Sequence, residues 1–199
     1  RIFEAVSRRL SPILRWWIKR RKAVVLLNAY FPLVEGLLVS LRSMGKVFIV
    51  PDFCFLEALP EFNENKLLRK SLGVEEVDKF DLVANKLFSK HFPMNLLEGI
   101  RSYSEKISGL GVIPLLGAAT SFYFHDEYKI LASRVVENGN NVIGFQHGGN
   151  YNFEKDGFFC AEYFEKLNVD KFYRWREKSL SGKVLPSTKL ASLSGCRKA

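Results

Sequence analysis

The segment Gln146-His147-Gly148-Gly149 holds the residues of this sequence that are best suited to chemistry. Histidine changes its charge near neutral pH, so His147 can act as a general base. Two glycines after it let the backbone turn sharply and approach a ligand closely, with amide N–H groups turned towards an oxyanion. The segment therefore predicts a catalytic loop or, as the alternative, a tight turn around a structural histidine.

A second polar segment is His125-Asp126-Glu127. In one interpretation these acids belong to a helix start, with Asp126 as the N-cap and Glu127 in the first turn, where both favour the helix dipole. In the other, the two carboxylates orient a substrate or His147. No metal site is predicted, because ligands at adjacent positions converge poorly and neither HxxxH nor DxD occurs.

The elements that would position these residues are short apolar segments, which alternate along the chain with segments of helical periodicity. Strands are predicted over 23–27, 46–50, 112–116, 141–145 and 171–175, and helices over 32–44, 127–138 and most of 61–107. This order predicts βαβ units and a Rossmann-like α/β fold, a parallel sheet with helices on both faces. Ligands of such sheets bind beyond the carboxyl ends of the strands, where both polar segments fall. We therefore expect the two segments to lie side by side.

Composition limits the class of protein. The 199 residues are 47% hydrophobic and 26% charged, which is typical of a globular domain and excludes a disordered chain. Three cysteines lie far apart without a CxxC pair, which excludes a zinc ribbon and indicates a reducing compartment. The GxGxxG, GxxxxGK[ST] and GxSxG motifs are absent, so the usual dinucleotide, nucleotide and nucleophile-elbow signatures are missing.

The net charge of +9 comes from the two ends of the chain. Residues 1–22 and 171–199 each carry +7, whereas residues 23–170 carry −5. A basic stripe over the folded core, as in nucleic-acid binders, is not expected from this distribution. The pattern of residues 1–22 predicts a basic amphipathic helix. This helix packs on the domain or, as the alternative, contacts a membrane surface through Trp16 and Trp17.

No targeting or spanning segment is predicted. The start lacks the apolar run of a signal peptide, and the longest apolar stretch, 23–34, is too short to cross a bilayer. The sequence therefore predicts a cytoplasmic protein, with association at the inner face of the membrane as the alternative that follows from the first helix.

Three segments resemble a family of bacterial surface-polysaccharide transferases encoded among O-antigen genes. They are SFYFHDE at 121–127, VIGFQHGGNY at 142–151 and DKFYRW at 170–175. That family is similar to capsule Kdo transferases and CDP-glycerol glycerophosphotransferases, which have the GT-B architecture of two Rossmann-like domains facing a cleft. The chain departs from the family pattern at Asn152, where a glycine is usual, and at Arg176-Glu177, where Gly-Trp is usual.

The resemblance implies a fold, an activity and a set of site residues. The chain would be the N-terminal, acceptor-side half of a GT-B enzyme: a basic helix at 1–22, a Rossmann-like domain at 23–178, and a linker or truncated start of a second domain at 179–199. It would transfer a sugar or sugar-like group from a nucleotide-activated donor to a glycan or lipid-linked acceptor, without a metal or a further cofactor. The implied catalytic residues are His147, Asp126 and Glu127, and the implied substrate contacts are Gln146, Gly148, Gly149, Tyr151 and His125.

Two alternatives stay open. One is a nucleotide-sugar epimerase on the same architecture, which would need the same donor domain. The other is a non-catalytic remnant that acts as a glycan- or membrane-associated binding module. A missing second half favours the remnant and predicts that the chain is inactive alone, whereas the intact Gln146-His147-Gly148-Gly149 segment favours an enzyme.

Overall fold

The computed structural model describes residues 2–50, 62–73, 78–148, 160–175 and 183–185. The chain divides into two compact units. The first, here called the sheet unit, consists of Arg1–Glu57 and Ile107–Ala199. The second, the helical unit, consists of Ala58–Lys106 and corresponds largely to the stretch that the sequence predicts as mainly helical.

In its described residues, the sheet unit has six parallel strands in the order β2-β1-β3-β4-β5-β6, which confirms the predicted Rossmann-like α/β fold. The strands are β1 (Val24–Leu27), β2 (Val47–Val50), β3 (Leu115–Ala118), β4 (Asn141–Phe145), β5 (Lys171–Trp175) and β6 (Lys183–Leu185). The chain moves from β1 outwards to β2 and then returns to β3 on the other side of β1. The direction of winding therefore reverses between β1 and β3.

Among the residues that the structure describes, five helices belong to the sheet unit. They are α1 (Ile2–Arg21), α2 (Leu33–Arg42), α6 (Ser121–Phe124), α7 (Asp126–Glu137) and α8 (Cys160–Leu167). Among the described residues, no helix is both long and apolar enough to cross a membrane.

Alternate residues of the central strands fill two apolar layers, one on each face of the sheet. Val25 and Leu27 of β1 join one layer, whereas Leu26 between them joins the other. The first layer also contains residues of α1, β3, α7 and β4: Ile18, Leu116, Tyr128, Leu131, Val135 and Val142. Burial on both faces explains why the strands are continuous apolar runs in the sequence.

Strand β3 begins later than the predicted 112–116. Pro114 has no N–H to donate to a neighbouring strand, and Val112 is exposed, so the strand starts at Leu115 and runs to Ala118. Of residues 179–199, predicted as a linker or the start of a second domain, the structure describes only Lys183–Leu185, which pair with β5. The other residues of that segment lie outside the described part of the chain.

The helical unit contains α3 (Lys66–Lys70), α4 (Lys79–His91), a 3-10 turn (Met94–Leu96) and most of α5 (Ile100–Ser108). Helix α4 begins at a capping box, in which Asp78 and Asp81 each accept a backbone N–H of the other. A buried ion pair joins α3 to the segment before α5. The guanidinium of Arg69 donates to both carboxylate oxygens of Glu98, at 2.7 and 2.9 Å.

Candidate functional site

His147 lies on a turn that directly continues strand β4 beyond its carboxyl end. The backbone N–H of Gln146 donates to the carbonyl of Tyr173 at 2.9 Å, so the pairing with β5 extends one residue past the strand. The Gln146 side chain is buried and donates through Nε2 to the carbonyl of Gly148 at 2.7 Å. Gln146 therefore closes the turn around His147. Gly149 and Tyr151, both predicted substrate contacts, lie outside the described residues.

The imidazole of His147 meets a buried carboxylate. Its Nδ1 lies 2.9 Å from Oε1 of Glu165, which belongs to α8. The Glu165 side chain is fully buried, whereas 25% of the His147 side chain remains exposed. A carboxylate this close to one ring nitrogen helps to orient the ring and favours a proton on that nitrogen. The pair therefore has the arrangement of a general base with its positioning residue.

Tyr123 of α6 joins the same cluster. Its hydroxyl donates a hydrogen bond to Glu165, and its ring lies edge-on to the His147 ring with centroids 6.0 Å apart. Partial burial raises the pKa of Tyr123, and the charge and hydrogen bond of Glu165 raise it further. The phenol thus stays protonated over the whole physiological range and remains a donor to the carboxylate.

Tyr123, which precedes His125 in the chain after β3, contacts His147 in the segment after β4. That His125, Asp126 and Glu127 themselves lie beside His147 stays a prediction. His125, rather than Asp126, is the N-cap residue of α7, and both Asp126 and Glu127 lie in the first turn of that helix. The Asp126 carboxylate forms an ion pair with Lys129 at 2.9 Å. The roles predicted for these three residues in substrate binding or catalysis stay predictions.

A crevice of about 450 Å³ opens where the winding of the sheet reverses, at the carboxyl ends of β1 and β3. It is lined by residues 28–32, Gly36, Ile49, Val50 and Thr120. This is the usual ligand-binding place of an open parallel sheet. Asn28 and Tyr30 have positive φ angles of 47° and 56°, which non-glycine residues adopt only uncommonly.

The crevice and the His147 cluster are connected through the short helix α6. Asn28 donates through Nδ2 to the hydroxyl of Ser121 at 3.5 Å, and Ser121 is fully buried. Tyr123, two residues further along α6, contacts His147 and Glu165. A ligand in the crevice would therefore contact the same segment that supports the candidate base.

Sequence reasoning did not find Glu165, although it did expect a carboxylate beside His147. In helix α8 the charged residue Glu165 is buried, whereas the apolar residues Tyr163, Phe164 and Leu167 are exposed, which is the opposite of the usual distribution. No local periodicity identifies such a residue. Asn28 carried a weak signal, because a polar residue directly ends the buried run of β1.

Within the described ranges, no group of three or more His, Cys, Asp or Glu side chains is placed to hold a metal ion. Among the described residues, His147, Tyr123 and Asn28 carry polar groups suited to proton transfer or hydrogen bonding, and the fully buried Glu165 lies behind His147.

Comparison with known families gives one match. The family model described as LIC12162 family transferase matches residues 1–198. The match covers nearly the whole chain, so it does not depend on one short motif. No curated protein and no solved structure is similar to the chain at a significant level.

Proposed function

The chain belongs to the LIC12162 family of transferases, and we propose that it serves the transfer of a sugar or sugar-like group from a nucleotide-activated donor to a glycan or lipid-linked acceptor. The product would be a bacterial surface polysaccharide of the O-antigen or capsule type. The contact between His147 and the buried Glu165 carries the proposal, because the transfer requires a base that removes a proton from a hydroxyl. The resemblance of the segments at 121–127 and 142–151 to surface-polysaccharide transferases supports the choice of substrates.

In the proposed reaction His147 deprotonates the acceptor. Its Nε2 takes the proton of the acceptor hydroxyl as the oxygen forms a bond to the reacting carbon of the donor. The bond between that carbon and the phosphate oxygen breaks, and the nucleotide leaves with the electron pair. Glu165 stabilises the imidazolium that forms, and Tyr123 holds Glu165 in place through its hydroxyl.

The acceptor is assigned to the crevice beyond the carboxyl ends of β1, β2 and β3. Its lining combines the aromatic residues Tyr30 and Phe31 with the amide of Asn28, which is the mixture of apolar walls and few polar groups found in small-molecule sites. A volume of about 450 Å³ lies within the common range of such sites. Binding there would place the acceptor next to α6, on which Tyr123 supports Glu165.

The test is a transfer assay on the full natural protein that carries this chain. A panel of nucleotide-activated sugars is incubated with glycan and lipid-linked acceptors, and both nucleotide release and the mass of the product are measured. We expect acceptor-dependent release that is lost in His147→Ala. The matched control is His91→Ala, since His91 is an exposed histidine of the helical unit and its loss should leave turnover unchanged.

Three outcomes would contradict the proposal. Conversion of the donor sugar to its epimer without an acceptor product would identify an epimerase. Binding of a glycan without any turnover would identify a binding module. Normal transfer by the His147→Ala variant would show that another group is the base.

A further inference from the structure

Helix α2 turns its apolar side to solvent. Four of its exposed apolar residues recur at the spacing of one helical face, namely Val34, Leu37, Leu38 and Leu41, and Val39 is exposed as well. The Leu41 side chain, the most exposed of these, is 73% accessible. A helix that packs on a domain normally buries such a stripe. This stripe is therefore not explained by the fold of the sheet unit.

The opposite side of α2 explains why the helix is turned this way. Strand β2 is the edge of the sheet, and backbone N–H groups on it need acceptors. The hydroxyl of Ser43 accepts from the N–H of Val47 at 3.1 Å, and the hydroxyl of Ser40 accepts from the N–H of Ile49 at 3.4 Å. The serine side of α2 thus covers a polar sheet edge, which leaves the leucine side outside.

Helix α1 repeats the pattern. Leu14 and Ile18 pack into the core, whereas Ile13, Trp16 and Trp17 are exposed at spacings of three and one, and Arg20 follows on the same face. The guanidinium of Arg20 lies 5.6 Å from the ring centre of Trp16. A tryptophan pair with a basic residue beside it is typical of proteins that lie at a membrane interface.

The two exposed stripes meet at the end of α2. Gly45 has a φ of +72°, and a Cβ atom placed there would lie only 2.8 Å from Nε1 of Trp17. The Trp17 indole therefore packs directly on the turn that follows α2, beside the exposed Met44. Together the two stripes form one surface, here called the apolar face: Ile13, Trp16, Trp17, Val34, Leu37, Leu38, Leu41 and Met44.

The charge around the apolar face is predominantly positive. Residues 12–50 contain seven lysines and arginines and a single acid, Glu35. The bases are Arg15, Lys19, Arg20, Arg21, Lys22, Arg42 and Lys46. Two copies of this face would bring like charges together, which opposes self-association. An anionic bilayer offers both an apolar interior and negative headgroups, so its chemistry complements both parts of the surface.

We propose that the apolar face of α1 and α2 docks on an anionic lipid bilayer. In this arrangement both helices lie in the plane of the interface, Trp16 sits at the level of the headgroups, and the leucines of α2 enter the acyl region. The basic residues contact the lipid phosphates. The inference is independent of the proposed transfer reaction, since it uses no residue of the His147 site.

The experiment is co-sedimentation of the 199-residue chain with lipid vesicles. One set is phosphatidylcholine alone, and the other contains one quarter phosphatidylglycerol. We expect strong binding only to the anionic vesicles, and weaker binding at high salt because salt screens the charges. Fluorescence of Trp16 and Trp17 should be quenched by brominated acyl chains in the same vesicles.

Two variants divide the surface into its apolar and basic parts. Leu41→Glu should lower the partition coefficient about tenfold or more, because a charge replaces an inserted side chain. Its matched control is Leu67→Glu, which makes the same change at a leucine of the helical unit that is 82% exposed. Arg42→Glu combined with Lys46→Glu should lower binding about thirtyfold or more. Circular dichroism confirms that each variant is folded.

Several results would overturn the proposal. These are a wild-type chain that does not bind anionic vesicles, equal binding to both vesicle types, and a Leu41→Glu variant that binds as tightly as the wild type. A dimer that is seen by analytical ultracentrifugation and disappears in Leu41→Glu would assign the face to a second copy of the chain instead.

Discussion

Each unit of the molecule buries a carboxylate, and the two carboxylates meet very different partners. In the helical unit Glu98 accepts two hydrogen bonds from Arg69 and a third from the backbone N–H of Asn65 at 3.0 Å. In the sheet unit Glu165 meets Nδ1 of His147 and the hydroxyl of Tyr123. Arginine keeps its charge at any physiological pH, whereas histidine gains and loses a proton near neutrality.

The difference distinguishes a structural pair from the pair that we propose to be catalytic. The Arg69 and Glu98 side chains are both buried, with multiple donors on one carboxylate, so that pair fixes one conformation. The His147 side chain is partly exposed at the carboxyl end of a parallel strand, where a substrate can reach it. A buried carboxylate alone does not indicate function; the partner's ability to change its protonation state does.

The largest expected effect comes from removal of the histidine or arginine side chain of each pair. His147→Ala should lower turnover of the full natural protein by roughly 10²–10⁴-fold, the usual contribution of a positioned base. Donor affinity should hardly change, and calorimetric titration with the donor checks this. Arg69→Ala should do the opposite: turnover at low temperature persists while the helical unit becomes less stable. Equal losses of turnover in both variants would contradict the distinction.

Glu165→Gln is expected to have the next largest effect. A buried carboxylate that orients a catalytic histidine contributes up to about 10⁴-fold in the best-studied hydrolases, and we expect roughly 10²-fold here because His147 is partly exposed. The variant keeps the size of the side chain but loses its charge. Nitrogen NMR of the imidazole should report a proton on Nδ1 in the wild type and a mixture of tautomers in the variant.

Glu165→Asp provides the control for this prediction. It restores the charge with a shorter side chain, so the tautomer signal should return in part even if turnover stays low. An unchanged tautomer signal in Glu165→Gln would show that Glu165 only fills space and does not position His147.

A smaller effect is expected for Tyr123→Phe. The change removes one hydrogen bond to Glu165 and keeps the ring that packs beside His147, so turnover should fall only several-fold to about tenfold. Because the pKa of Tyr123 is raised, its phenolate absorbance should appear in the wild type only well above the pH at which an exposed tyrosine ionises. Early ionisation of Tyr123 in the folded protein would contradict the hydrogen bond to a charged Glu165.

The features that could be predicted from the sequence are those that depend on local residue patterns. The strands buried on both faces are continuous apolar runs, and His147 follows one of them directly, so fold and candidate base could both be inferred. Strand β3 starts later than its apolar run suggests, because Pro114 has no N–H to donate to a neighbouring strand. Glu165 could not be inferred, since its contact with His147 depends on how α8 packs beside β5, and the exposed aromatic residues of α8 conceal its buried side.

Glu98→Gln is expected to leave turnover unchanged and to alter only the stability of the helical unit. Hydrogen bonds from Arg69, followed by the backbone N–H of Asn65, hold the pKa of Glu98 below its ordinary value despite burial, and Glu64 lies 3.9 Å from Arg69. A carboxyl with a lowered pKa in the folded state stabilises the fold above its ordinary pKa, and that stability is lost as the pH falls through the lowered value. Hydrogen exchange of the helical unit should therefore be faster in Glu98→Gln at neutral pH. The exchange rates of the wild type and the variant should become equal in acid, where the wild-type carboxyl is also neutral. A difference that persists unchanged into acid would mean that packing, rather than charge, makes the contribution of Glu98.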